Sequence, residues 1–145
     1  MDVKNKLYKN QGIHVITALF TVEQGVTKVL LIKRKNEPFL GDWVLTGGAL
    51  YNNEDLEEGA LRELEEKTGI TGVEIKQFKA FGKVHRSPIM RMVAVGFVGI
   101  IVVVVGDGSG TIVGSVDGLG SSEKSPFEID PSCPSITTLK LVLFS

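Results

Sequence analysis

The chain has 145 residues, long enough for one domain with a real hydrophobic core. With 43% hydrophobic and 23% charged residues it has the profile of a soluble globular protein, and a net charge of −1 supplies no overall field toward nucleic acid or an anionic membrane. The single cysteine, Cys133, excludes an internal disulfide and a cysteine zinc cluster, and fits a reducing cytoplasm.

The first residues, "MDVKNKLYKNQG", are polar and lack the apolar core of a signal peptide. "IHVITALFTV" (13 to 22) is rich in β-branched and aromatic residues and predicts a strand. "EQG" turns the chain, and "TKVLLIKRK" (27 to 35) predicts the partner of a hairpin. "NEPFLGDW" holds Pro38 and Gly41 and reads as a loop, and "WVLTGGAL" as a short extended piece over a glycine pair. "NNEDLEEGALRELEEKTG" is the clearest helix. Asn52 or Asn53 can cap it, acids crowd its first turn, and Gly69 stands where a C-cap glycine belongs. Leu56, Ala60 and Leu64 form an apolar stripe at spacing four, widened by Leu61.

"VEIKQFKAFGKV" (73 to 84) predicts a strand and "HRSPI" a loop. The apolar run from 92 to 106 has 15 residues, short of the roughly 20 a membrane helix needs, and its valines favour one long buried strand or two. Beyond it the chain is Gly- and Ser-rich, reading as loop around a weak strand at "TIVGSV". "PFEIDPSCPS" reads as a short strand followed by turns, and "ITTLKLVLF" as a strand or the start of a helix. These elements predict an α/β or α+β fold with a mixed sheet covered by helices.

At 100° per residue, Glu63 and Glu66 lie about 60° apart, on the side of the helix that holds Gly59 and Arg62. Two carboxylates and an arginine beside a buried stripe suit a hard divalent cation with a diphosphate. The same pattern also describes a solvated face held by i,i+4 ion pairs. Gly59 is costly mid-helix and leaves room for something to approach.

From Gly48 the chain runs "GALYNNEDLEEGALRELEEKTGI", with Gly48, Glu54, Arg62, Glu63, Leu64, Glu66, Gly69 and Ile70 at fixed offsets. This resembles the Nudix box, Gly-x5-Glu-x7-Arg-Glu-U-x-Glu-Glu-x-Gly-U, with U a bulky aliphatic. Eight of its nine specified positions match over 23 residues. "LLIKRKNEPFLGDWVLTGGAL" looks like the segment that precedes the box in this MutT-like hydrolase family. "FGKVHRSPIMRMVAVGF" and "FEID" are similar to segments of the ADP-ribose pyrophosphatase branch and its regulator relatives.

The resemblance implies one Nudix domain over residues 1–145, an αβα sandwich with a mixed sheet. It implies hydrolysis of a nucleoside diphosphate linked to another group, with Mg²⁺ or Mn²⁺ as cofactor and homodimers common. By position, Glu63 and Glu66 would be metal ligands, with Glu63 a base, Arg62 would orient them, and Glu54 would support the loop. Gly47 and Gly48 would let metal and diphosphate approach the backbone. Arg86 and Arg91 would clamp phosphate, and Trp43 or Phe39 would stack on a base. His85 stands where the branch often has an acid. Asp107, Asp117, Glu123, Glu128 and Asp130 are candidates for a late-chain acid.

Two departures stand out. Thr46 replaces the usual proline before the glycine pair. Lys67 replaces the second glutamate of the Glu-Glu pair, and Glu65 faces away from that site. Lys67 is four residues after Glu63, the favourable order for an ion pair, so its ammonium competes with a metal. The expectations are therefore a hydrolase weakened by Lys67, or a catalytically weak nucleotide sensor.

Overall fold

The computed structural model describes residues 11–106, 109–113 and 139–143, with side chains placed from 11 to 102. Strand β1 (Gly12–Glu23) is the centre of the sheet. Its alternation buries Val15, Thr17, Leu19 and Thr21 on one face, as a period of two requires. Gln24 and Gly25 both have positive φ, 51° and 77°, which is the two-residue turn that suits a hairpin. It leads into β2 (Val26–Lys33), antiparallel to β1.

The hairpin then splays. β2 pairs with β1 only from Val26 to Val29, and the gap beyond is filled by the returning chain. β3 (Trp43–Val44) pairs with β2, and β4 (Thr46–Ala49) pairs with the first half of β1. The glycine pair is thereby wedged into the sheet. Thr46, at the position of the usual proline, is buried, and its hydroxyl donates to the Thr17 carbonyl at 3.1 Å.

Helix α1 (Leu56–Thr68) packs on the buried face of β1. Ala60 and Leu64 enter the core with Val15, Leu19, Val95 and Phe97, and Leu56 and Leu61 pack against its margin. The N-cap is Asp55, not Asn52 or Asn53, with Glu58 returning a carboxylate to its backbone N–H at 2.9 Å. Gly69 closes the helix with φ 73°, the left-handed cap expected of a glycine there.

β5 (Ile75–Phe81) is shorter than the predicted 73 to 84 and forms a sheet edge against β6 (Met92–Ile100). β6 runs parallel to β1, so the sheet is mixed. The apolar run is two strands. It breaks at Ile101, which is buried and donates its N–H to Phe20, and continues as β7 (Val102–Gly106). β8 (Ser109–Val113) pairs with β7 and overlaps the weak strand predicted at 111 to 116. β9 (Leu139–Leu143) pairs with β2, which makes "LKLVL" a strand. The late acids from Asp107 to Asp130 and the "FEID" segment lie outside the described residues. Among the described residues no helix is long and apolar enough to cross a membrane.

Candidate active site

The site forms where α1 lies over β4. Gly48 makes the approach possible: a Cβ there would stand 2.1 Å from the Glu63 carboxylate. Gly47 faces the sheet instead, where a Cβ would meet the Val15 carbonyl at 2.3 Å. The room above Gly59 is filled by the loop before the helix, with Leu50 and Glu54 at 2.6 and 3.0 Å from the place of a Cβ.

Arg62 organises the acids. Its Nε and Nη2 donate to the two oxygens of Glu54 at 2.8 and 2.7 Å. Its Nη1 donates to Glu63 at 2.9 Å and Glu66 at 3.3 Å, and Nη2 also reaches the Ala49 carbonyl at 3.0 Å. All five guanidinium protons are engaged. The Tyr51 ring lies 3.9 Å below the guanidinium. Glu54 also accepts the Tyr51 N–H at 2.7 Å, which ties the loop to the helix. The Arg62 hydrogen bonds, helped by that N–H, hold the Glu54 carboxyl down at about 2. The same pairing pushes Arg62 further up.

Glu63 is 7% exposed. Burial pushes its carboxyl up, but the hydrogen bonds and charges of Lys67 and Arg62 together outweigh that, so it sits below the usual range. Lys67 Nζ lies 2.6 Å from Glu63 Oε2 and donates to the Gly47 carbonyl. The cation expected from the sequence to compete for Glu63 is therefore in place. The Glu66 side chain is 54% exposed.

Arg86 and Arg91 differ. Arg91 spends its Nη1 on the Gly82 and Lys83 carbonyls at 2.8 and 3.1 Å, bracing the loop it closes. Arg86 Nε is buried with no hydrogen-bond partner among the described residues. Trp43 is half-buried in β3, whereas Phe39 and His85 are exposed. Two residues carry no motif signal and escape a sequence reading. His14 stands on β1 opposite Ala49, next to the glycine pair, and Arg34 follows β2. Burial lowers the His14 pKa, and Arg86, Lys67 and Arg34 lower it further, against an opposing effect of Glu63. Only strand register brings these groups together.

A mixed sheet that seats a glycine pair under an arginine-bound set of helix glutamates defines the class of α/β protein to which this chain is to be compared. The chain belongs to the NUDIX domain family, whose sequence profile matches residues 12–117. It is 38% identical over 85 residues to an ADP-ribose pyrophosphatase of Methanocaldococcus jannaschii, covering 59% of this chain and 46% of that protein. It is 37% identical over 83 residues to the ADPR responsive transcriptional repressor NtrR of Acinetobacter baylyi, covering 56% of this chain and 33% of that one. The chain thus spans less than half the length of either relative. The Nudix domain of Shewanella oneidensis NrtR, crystallised with ADP ribose, superposes with a TM-score of 0.64 at 28% identity, over 97% of this chain and 77% of that one.

Proposed function

We propose that the site takes a nucleoside diphosphate linked to a second group, of the ADP-ribose class, and hydrolyses its diphosphate slowly. Family membership and the ADP-ribose named for the relatives support the ligand class. In this reading Gly48 leaves the room that the Glu63 carboxylate occupies, Arg86 pairs with phosphate oxygens, and Trp43 borders the base. Arg62 keeps Glu54, Glu63 and Glu66 in one array.

The observation that carries slow turnover is the 2.6 Å contact between Lys67 Nζ and Glu63 Oε2. The family's chemistry uses a divalent metal, and the described residues around Glu63 do not fit one. The ammonium holds the Glu63 oxygen and the Gly47 carbonyl, and among the described residues no three His, Cys, Asp or Glu side chains form a metal-holding group. A carboxylate paired with two cations is also a poor proton acceptor, because its pKa is held low.

The test is release of AMP from ADP-ribose, followed by chromatography with Mg²⁺ or Mn²⁺, for the wild type and Lys67→Glu. Slow wild-type turnover and a faster variant are expected. A variant no faster than wild type sinks the assignment of slowness to Lys67. The second reading, a nucleotide sensor, is favoured by the similarity to NtrR and NrtR. It prevails if ADP-ribose binds and neither protein hydrolyses it.

A further inference from the structure

Lys67 does more than remove an acid from the helix. An ammonium is a compact point charge with three donors. One proton is directed at the Gly47 carbonyl, and the Glu63 carboxylate lies 2.6 Å away. A carboxylate oxygen and a backbone carbonyl are the oxygen ligands a hard divalent cation selects. The Lys67 side chain is still 37% exposed, which leaves the third donor accessible to a ligand.

The surroundings are those of an anion site. Lys67 from α1, Arg86 from the loop after β5 and Arg34 after β2 all act on His14, with Glu63 the opposing charge. Arg86 Nε and His14 Nδ1 are both buried, and neither has a hydrogen-bond partner among the described residues. Three cations from separate parts of the chain thus lie within electrostatic reach of His14, with Lys67 resting on the glycine pair itself, and two polar nitrogens remain unsatisfied among the described residues. Buried polar atoms are ordinarily paired, so these nitrogens call for a partner beyond the described residues, a role that a water or a ligand oxygen can fill.

Building on the ligand class proposed above, we propose that Lys67 is a tethered cation standing in for the divalent metal, so that Lys67 and Arg86 bind the diphosphate without any metal ion. The covalent tether holds the positive charge at the Glu63 and Gly47 oxygens at every metal concentration. The ligand then meets a charge that chelators cannot remove. The substitution that slows hydrolysis therefore sustains binding, which suits a protein that holds its ligand longer than it turns it over.

Two measurements test this, neither of them an activity. Calorimetric titration with ADP-ribose is run in EDTA and in Mg²⁺, for the wild type and for Lys67→Met, with thermal melts establishing that the variant is folded. The wild-type Kd should agree within about twofold between the two conditions, while Lys67→Met should weaken at least about tenfold in EDTA. Mn²⁺ titration by electron paramagnetic resonance should show no tight wild-type site and a new site in Lys67→Met. EDTA weakening the wild type tenfold, or a tight wild-type Mn²⁺ site unchanged by Lys67→Met, overturns the inference and leaves the ligand assignment standing. Absence of ADP-ribose binding in both conditions overturns the ligand assignment, and the Mn²⁺ titration still decides whether Lys67 excludes the metal.

Discussion

Gly48→Ala is the sharpest probe of how the site is assembled. The new methyl carbon would stand 2.1 Å from Glu63 Cδ and Oε1 and 2.2 Å from Oε2, whereas carbon contacts settle near about 3.5 Å. The carboxylate must therefore move by about 1.4 Å or the backbone must shift. Glu63 has little freedom, since it is buried and tied to Arg62 at 2.9 Å and Lys67 at 2.6 Å. Overpacking of this kind costs about 1–3 kcal/mol. For a chain of this size that lowers Tm by roughly 3–12 °C. The assay is thermal unfolding of Gly48→Ala, Glu63→Ala and the double variant. With the clashing carboxylate removed, the alanine at 48 should cost far less, so the two changes should couple by about 1 kcal/mol or more. A Gly48→Ala protein melting with the wild type, or strict additivity in the double variant, refutes the reasoning.

Asp55→Ala should destabilise the protein by about 0.5–2 kcal/mol through loss of the N-cap, while Asn53→Ala should cost little, measured by urea unfolding. Glu54, held at about 2 against its ordinary 4.5, contributes stability that is full above pH 4.5 and lost as pH falls toward 2. Glu54→Gln should therefore flatten the acid limb of a stability–pH curve in that window. His14 has a pKa lowered from 6.5, so the fold disfavours its charged form, and its stabilising effect is present above 6.5 and lost as pH falls through the lowered value. Its imidazole signals in NMR should titrate below pH 6.5, and a midpoint above that contradicts the burial and nearby cations that lower it. Arg86→Ala should weaken ADP-ribose binding more than Arg91→Ala, whose guanidinium is occupied with carbonyls, and equal losses by calorimetry would count against that division.

What was legible in the sequence is what short-range geometry controls. The spacing of Leu56, Ala60 and Leu64 set the buried face of α1, Gly69 its end, and the four-residue step from Glu63 to Lys67 their ion pair. The offsets from Gly48 to Ile70 identified the family, because this motif is contiguous. The cap was harder, since Asn52, Asn53 and Asp55 are all competent, and only the reach of Glu58 selects Asp55. The rest was decided by tertiary structure. "LKLVL" reads equally as helix or strand until β2 offers it an edge. Arg91 looks like a phosphate ligand until the loop from Gly82 folds back onto it. His14 and Arg34 join the site only through the register that sets His14 against Ala49 and wedges the glycine pair between β1 and β2. The sequence by itself determined the helix and its acid and lysine pattern, because side chains three and four residues apart meet on any α-helix. That Lys67 rests on the Gly47 carbonyl depended on the sheet, because a contact between residues 20 positions apart exists only once β4 is seated beneath α1.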